Sequence, residues 1–203
     1  MRNGEVVIER LTTTDSNGAT IKTPGALVHH WIGTAFIPAA RLQQAIALVQ
    51  DYNNHYKTYE PEVVRSRLVS RNGDDFKIYL RYRKKKIITV VLNTYHDVHY
   101  VIVDAHHVHC RSFTTEVREV EDADTPNEHQ RSPDNDNGFM WSMNTYWRFE
   151  DRNGGVYIQC EAITLTRSVP IALRWLIEPY ITSIPHESLT ETMNHTRDAL
   201  THK

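Results

Sequence analysis

Met143-Asn144-Thr145-Tyr146-Trp147-Arg148-Phe149-Glu150-Asp151-Arg152-Asn153-Gly154-Gly155-Val156-Tyr157-Ile158-Gln159-Cys160-Glu161-Ala162 reads as two strands joined by a tight turn. Asn-Gly suits the central pair of a two-residue hairpin turn. Pairing Arg152 with Gly155 and counting back sets Phe149 opposite Ile158, Trp147 opposite Cys160 and Thr145 opposite Ala162. Side chains alternate between faces along a strand. One face then carries Trp141, Met143, Trp147, Phe149, Ile158, Cys160 and Ala162, and the other Tyr146, Arg148, Glu150, Tyr157, Gln159 and Glu161. The first must be buried and the second wet. A one-residue slip would exchange the faces of one strand, which burial of the apolar set forbids.

A similar hairpin surrounds Asn72-Gly73-Asp74. A three-residue loop there puts Val64, Ser66, Leu68, Phe76, Ile78, Leu80 and Tyr82 inside and Arg65, Arg67, Lys77, Arg81 and Arg83 outside. The pattern predicts strands over 27–37, 62–71, 75–83, 86–96, 99–120 (a run long enough to contain a break or bulge), 139–150 and 155–166, with a further turn at Lys84-Lys85. Pro38 fits the first turn of a helix over 39–50, where Leu42, Ala45, Ile46 and Val49 recur at helical spacing. Tyr52, Tyr56 and Tyr59 follow on a short helix or loop that Pro61 ends. Residues 121–138, rich in Asp, Asn, Pro and Glu, read as a solvated, mobile loop. Val169-Pro170 opens a short helix with Leu173, Trp175, Leu176 and Ile177, punctuated by Pro179 and Pro185. From Pro185 a longer helix runs to about Leu200, with Leu189, Met193, Thr196 and Leu200 on one stripe. Residues 1–24 form a polar arm or leader, of which 6–8 or 20–22 can pair at a sheet edge. Residues 25–203 form one α+β domain, a curved antiparallel sheet of about six or seven strands around a long C-terminal helix. One helix does not fill the concavity of such a sheet. The remaining space is either a pocket for a small molecule or is plugged by aromatic side chains.

The 203 residues are 40% hydrophobic and 24% charged, ordinary for a globular chain. A net charge of -2 provides no basic field for nucleic acid or anionic membrane. No apolar run is long enough for an integral membrane segment. The polar start, Met1-Arg2-Asn3-Gly4-Glu5, predicts a soluble, cytoplasmic protein unless an export signal was trimmed. Cys110 and Cys160 sit in strand-like runs and read as buried free thiols. Among the histidines, His107 and His109 share a strand face and His96, His99 and His106 lie nearby. No CxxC, HExxH or matched carboxylates accompany them, so no metal and no cofactor is expected. The basic run Arg81–Lys86 reads as a solvated hairpin tip. Arg148 and Glu161 lie diagonally on the outer face, as an ion pair rather than an acid–base couple. In another register Glu161 would enter the pocket as a general base. Ser188 has no His/Asp partner arrangement, and no catalytic motif is present.

Strand, paired helices, antiparallel sheet and long terminal helix together resemble the START-like, or SRPBCC, superfamily of helix-grip proteins. That group includes lipid-transfer domains, pollen-allergen-type carriers and polyketide cyclases. His29-His30-Trp31-Ile32-Gly33-Thr34-Ala35-Phe36-Ile37-Pro38, Asn144-Thr145-Tyr146-Trp147-Arg148-Phe149-Glu150, Gly154-Gly155-Val156-Tyr157 and Ser183-Ile184-Pro185-His186-Glu187-Ser188-Leu189 look like stretches in bacterial members. The likeness covers about residues 25–200. The superfamily has no shared catalytic motif, so no catalytic residue carries over. The resemblance implies a hydrophobic cavity between sheet and terminal helix. Its expected occupant is a lipid, isoprenoid or aromatic metabolite. Trp141, Met143, Trp147, Phe149, Ile158, Cys160, Leu80 and Tyr82 would line the sheet side, and Leu189 and Met193 the helix side. Two alternatives stay open: a cyclase- or hydrolase-type enzyme using the same cavity, and a protein-interaction module with a filled core. The last would expose an apolar patch near Trp175, Tyr180 or Tyr52, Tyr56 and Tyr59. Oligomeric state is not legible.

Overall fold

The computed structural model describes residues 4–86, 88–168 and 174–201, with side chains described from residue 183 onward in the last segment. In chain order the elements are β1 (Val6–Arg10), β2 (Ala26–Pro38), α1 (Leu42–Gln50), α2 (His55–Thr58), β3 (Val63–Asn72), β4 (Asp75–Lys85), β5 (Thr89–Ile102), β6 (His107–Glu121), β7 (His129–Gln130), β8 (Ser142–Arg152), β9 (Gly155–Arg167) and α3 (Arg174–Thr201). The described strands form one nine-stranded sheet in the order β1-β2-β9-β8-β6-β5-β4-β3, with β7 paired to β6. This is the expected α+β architecture with more strands than predicted: β1 extends the edge at β2, pairing Ile8 with Gly33, and β7 folds back on β6.

The β8–β9 hairpin has the register read from its turn, with Arg152 opposite Gly155, Phe149 opposite Ile158 and Trp147 opposite Cys160. Asn153 and Gly154 take φ of 59° and 74°, the left-handed pair that such a turn needs. The β3–β4 hairpin differs. Its turn has two residues, since Asn72 pairs with Asp75, and an irregularity at Val69 restores the expected pairing of Leu68 with Ile78. A second irregularity at Val64 sets Val63, not Val64, opposite Tyr82. Each bulge adds one residue to one strand and shifts the face beyond it.

Three other boundaries move. The turn assigned to Lys84-Lys85 falls later, because β4 continues to Lys85 and β5 begins at Thr89. The break between β5 and β6 falls at 103–106, not 97–98, and Asp104 makes that turn by accepting from the backbone N–H groups of His106 (2.7 Å) and His107 (2.9 Å). Pro38 ends β2 rather than starting α1: Ala39 has φ 62°, which a helix cannot contain, and Arg41 is the N-cap.

The terminal helix runs through Pro179 and Pro185, where the sequence pointed to stops. Proline's φ suits a helix; it forfeits one backbone bond and close packing on the preceding turn, about 3 kcal/mol. Burial of Leu189 and Met193, at about 1.5–3 kcal/mol each, is of the same order as the cost of the two prolines. Val169, Pro170 and Leu173 lie outside the described residues, as do the side chains of Trp175, Leu176, Ile177 and Tyr180. Gly33 permits the close seat of α3 on β2. A Cβ there would stand 2.8 Å from Met193 Cγ and 2.9 Å from Ile8 Cδ1, closer than packed carbons approach.

The 121–138 segment is tied down rather than free. Arg81, 1% exposed on the outer face, donates to both Glu128 carboxylate oxygens at 2.9 and 2.7 Å. Arg65 and Arg83 bind Asp124. Farther along, Glu119 accepts from Asn137 N (2.8 Å) and Phe139 N (3.0 Å). The basic run is therefore divided by strand alternation: its arginines hold this loop outside, and Lys84 and Lys86 point to the acids of α3.

Candidate functional site

A cavity of about 570 Å³ lies between the sheet and α3. It is lined mainly by apolar groups, among them Ile78 and Leu80 from β4, Leu92, Val98 and Tyr100 from β5, Cys110 from β6, Met143 and Trp147 from β8, and Cys160 and Ala162 from β9. The helix side is Leu189, Thr192 and His195. Its volume is that of an ordinary small-molecule site.

The structure brings Leu80, Tyr82, Met143, Trp147, Cys160 and Leu189 together around this space. Phe149, Ile158 and Met193 share the inner face but do not border the cavity. They are 1%, 0% and 1% exposed and belong to the packed core with Ala45 and Val49 of α1. That helix fills one end of the concavity, and the strand pattern could not place it there. Trp141 lies outside. It precedes β8, is 36% exposed, and has the Arg167 guanidinium 5.6 Å from its ring. Strict alternation therefore cannot be carried back to it. Tyr52 and Tyr59 are buried and only Tyr56 is exposed, so these tyrosines form no surface patch.

Sequence reasoning missed the polar groups in the wall. Glu62 is 9% exposed and accepts from Ser188 Oγ at 3.0 Å. It also pairs with Lys84, whose Nζ is 3.4 Å from Glu191. Burial raises the Glu62 pKa, with the Lys84 ammonium opposing. Glu62 immediately precedes β3, beyond the bulge at Val64, and its carbonyl accepts from Arg83 N at 2.8 Å. His96, 2% exposed, donates from Nε2 to Thr94 Oγ1 (2.8 Å), since the Thr94 proton goes to the Leu80 carbonyl (3.1 Å). Burial lowers its pKa to about 4, so it is neutral at pH 7. Burial raises the Cys110 thiol to about 12 and Cys160 also rises, so neither is a thiolate nucleophile at neutral pH. Tyr59 donates to Thr196 Oγ1 (3.2 Å), whose own proton goes to the Thr192 carbonyl (2.8 Å), fastening α2 to α3.

Arg148 and Glu161 are 3.3 Å apart on the outer face, and His30 Nε2 lies 2.9 Å from the same carboxylate. Glu161 does not border the cavity, which removes it as a general base there. His96 faces inward, whereas His107 lies beside Asp104 at 2.9 Å on an exposed turn. No helix of the described residues is long and apolar enough to cross a membrane.

Several solved structures share this architecture. A fragment of the STAR-related lipid transfer protein from Xanthomonas axonopodis superposes with a TM-score of 0.55 at 14% identity, over 93% of this chain and 98% of that one. Human STARD10 gives 0.55 at 10% identity, over 87% and 71%. The Zhui aromatase/cyclase from a Streptomyces strain gives 0.55 at 10% identity, over 85% and 94%. No family model matches the sequence, and no curated protein matches it. The chain has the START-like helix-grip fold. At such low identities that statement concerns fold alone.

Proposed function

We propose that the protein binds and carries a small hydrophobic molecule, a lipid, isoprenoid or aromatic metabolite, between its sheet and α3. The observation that carries this reading is the cavity of about 570 Å³ with a largely apolar wall. Its size argues against a filled core. Lipid-transfer proteins among the structural neighbours support the reading. Native mass spectrometry of freshly purified protein is expected to show a retained small molecule. Apolar probes are expected to raise the melting temperature. No retained mass and no stabilisation by any apolar probe would overturn it. One observation favours a second reading, an enzyme of cyclase or hydrolase type: the Glu62 carboxyl, its pKa raised by burial, borders the cavity. Turnover of an aromatic or ester probe that Glu62→Gln abolishes would support that reading over carriage.

A further inference from the structure

The walls of an apolar cavity reveal which polar end they tolerate. Three cationic side chains border this one: Lys84, Lys86 and Arg167. Each already holds a carboxylate. Lys84 binds Glu62, Lys86 Nζ is 2.6 Å from Glu187, and Arg167 Nη2 is 3.1 Å from Asp136. An entering carboxylate or phosphate would have to break one of these pairs or stay unpaired in apolar surroundings, and both are costly. Glu62 and Glu191, also at the wall, repel an anion directly. The Tyr82 hydroxyl, in contrast, has no hydrogen-bond partner among the described residues, although its ring is part of the cavity wall. A phenol offers one donor and one acceptor. Burial raises the Tyr82 pKa and the charge of Glu62 adds to it, so Glu62 supplies an acceptor nearby.

We propose that the cavity selects a neutral, hydroxyl-bearing apolar molecule, an alcohol or phenol, over the carboxylate or phosphate of the same skeleton. The inference rests on the carrier reading above. The ligand hydroxyl accepts from Tyr82 and donates to the acidic side of the wall.

Titration calorimetry at pH 7.5 with decanol, decanoate, decyl phosphate and 1-chlorodecane, which lacks a hydrogen-bonding oxygen, tests it. Decanol is expected to bind at least about tenfold more tightly than decanoate or decyl phosphate. Tyr82→Phe is expected to weaken decanol about fivefold, the scale of one hydrogen bond, and to leave 1-chlorodecane unchanged. Tyr146→Phe, on the outer face, is expected to change neither. Decanoate binding as tightly as decanol would overturn the selectivity while leaving carriage intact, and this comparison needs no variant. An unchanged decanol-to-chlorodecane ratio in Tyr82→Phe would overturn the role of Tyr82. Failure of all four probes to bind would remove the carrier reading, and the selectivity with it.

Discussion

Acidification from pH 7 to 5 should cost this protein several kcal/mol of stability, because His55 and His96 are buried as neutral rings. His55 donates from Nε2 to the Val49 carbonyl at 3.1 Å, and His96 donates to Thr94. Burial lowers both pKa values from 6.5 to about 4. The unfolded chain takes up a proton at each histidine near 6.5, and the folded protein not until about 4. Between those values the unfolded state binds more protons, so stability falls as pH falls. The contribution is intact above pH 6.5 and fully lost below about 4. By pH 5 each histidine has cost about 2 kcal/mol, and the pair about 4, out of a typical total of about 5–15 kcal/mol. His29 acts in the same direction through burial and then the charge of Arg10. Glu62 acts oppositely: its pKa is raised in the fold, so its protonation on acidification favours the folded state. Urea unfolding midpoints at pH 7, 6 and 5 measure the sum. The wild type should lose stability steadily, and His55→Gln or His96→Gln should each remove about 2 kcal/mol of that loss. A midpoint unchanged between pH 7 and 5, or an undiminished slope in both variants, would refute the reasoning.

Gly33→Ala should destabilise by about 1–3 kcal/mol, seen as a lower melting temperature, because its methyl would collide with Met193 and Ile8. Glu128→Gln should lower the urea midpoint by weakening the bidentate partner of buried Arg81, and Arg81→Met in that background should recover part of the loss. Ala162→Trp, filling the cavity from β9, should reduce binding of apolar probes about tenfold or more while the protein still melts cooperatively; unchanged affinity would place the ligand elsewhere.

Most of the sheet was legible because its apolar residues alternate and its turns carry Asn-Gly or Gly-Asp. The β8–β9 hairpin is the clearest case, since one turn determines its eleven residue pairs and separates Glu161 from the interior. Illegible were features that depend on distant partners. The irregularities at Val64 and Val69 arise where edge strand β3 accommodates β4, and the first sets Val63 rather than Val64 opposite Tyr82. Asp97 resembled a turn residue as much as Asp104 did; only the latter captures two backbone N–H groups. Pro185 looked like a helix start because the burial that carries α3 across it comes from Leu189 and Met193 against β2. The acidic composition of 121–138 signalled solvent, but composition does not reveal that three arginines of β3 and β4 await it. In the site, alternation found the aromatic and thiol wall. It could not tell that α1 closes over Phe149 and Ile158, leaving them as core.

That acidic segment joins two regions that would otherwise be independent. Its first half is held to the convex side by Arg65, Arg81 and Arg83. Its continuation, Asn137 to Met140, borders the cavity on the concave side. Ion pairs near a surface weaken as salt shortens the reach of charge to about 8 Å at physiological strength. The segment thus works as a tether between bulk solution and the cavity border, so ionic strength, which no apolar ligand senses directly, acts on the wall through the chain itself.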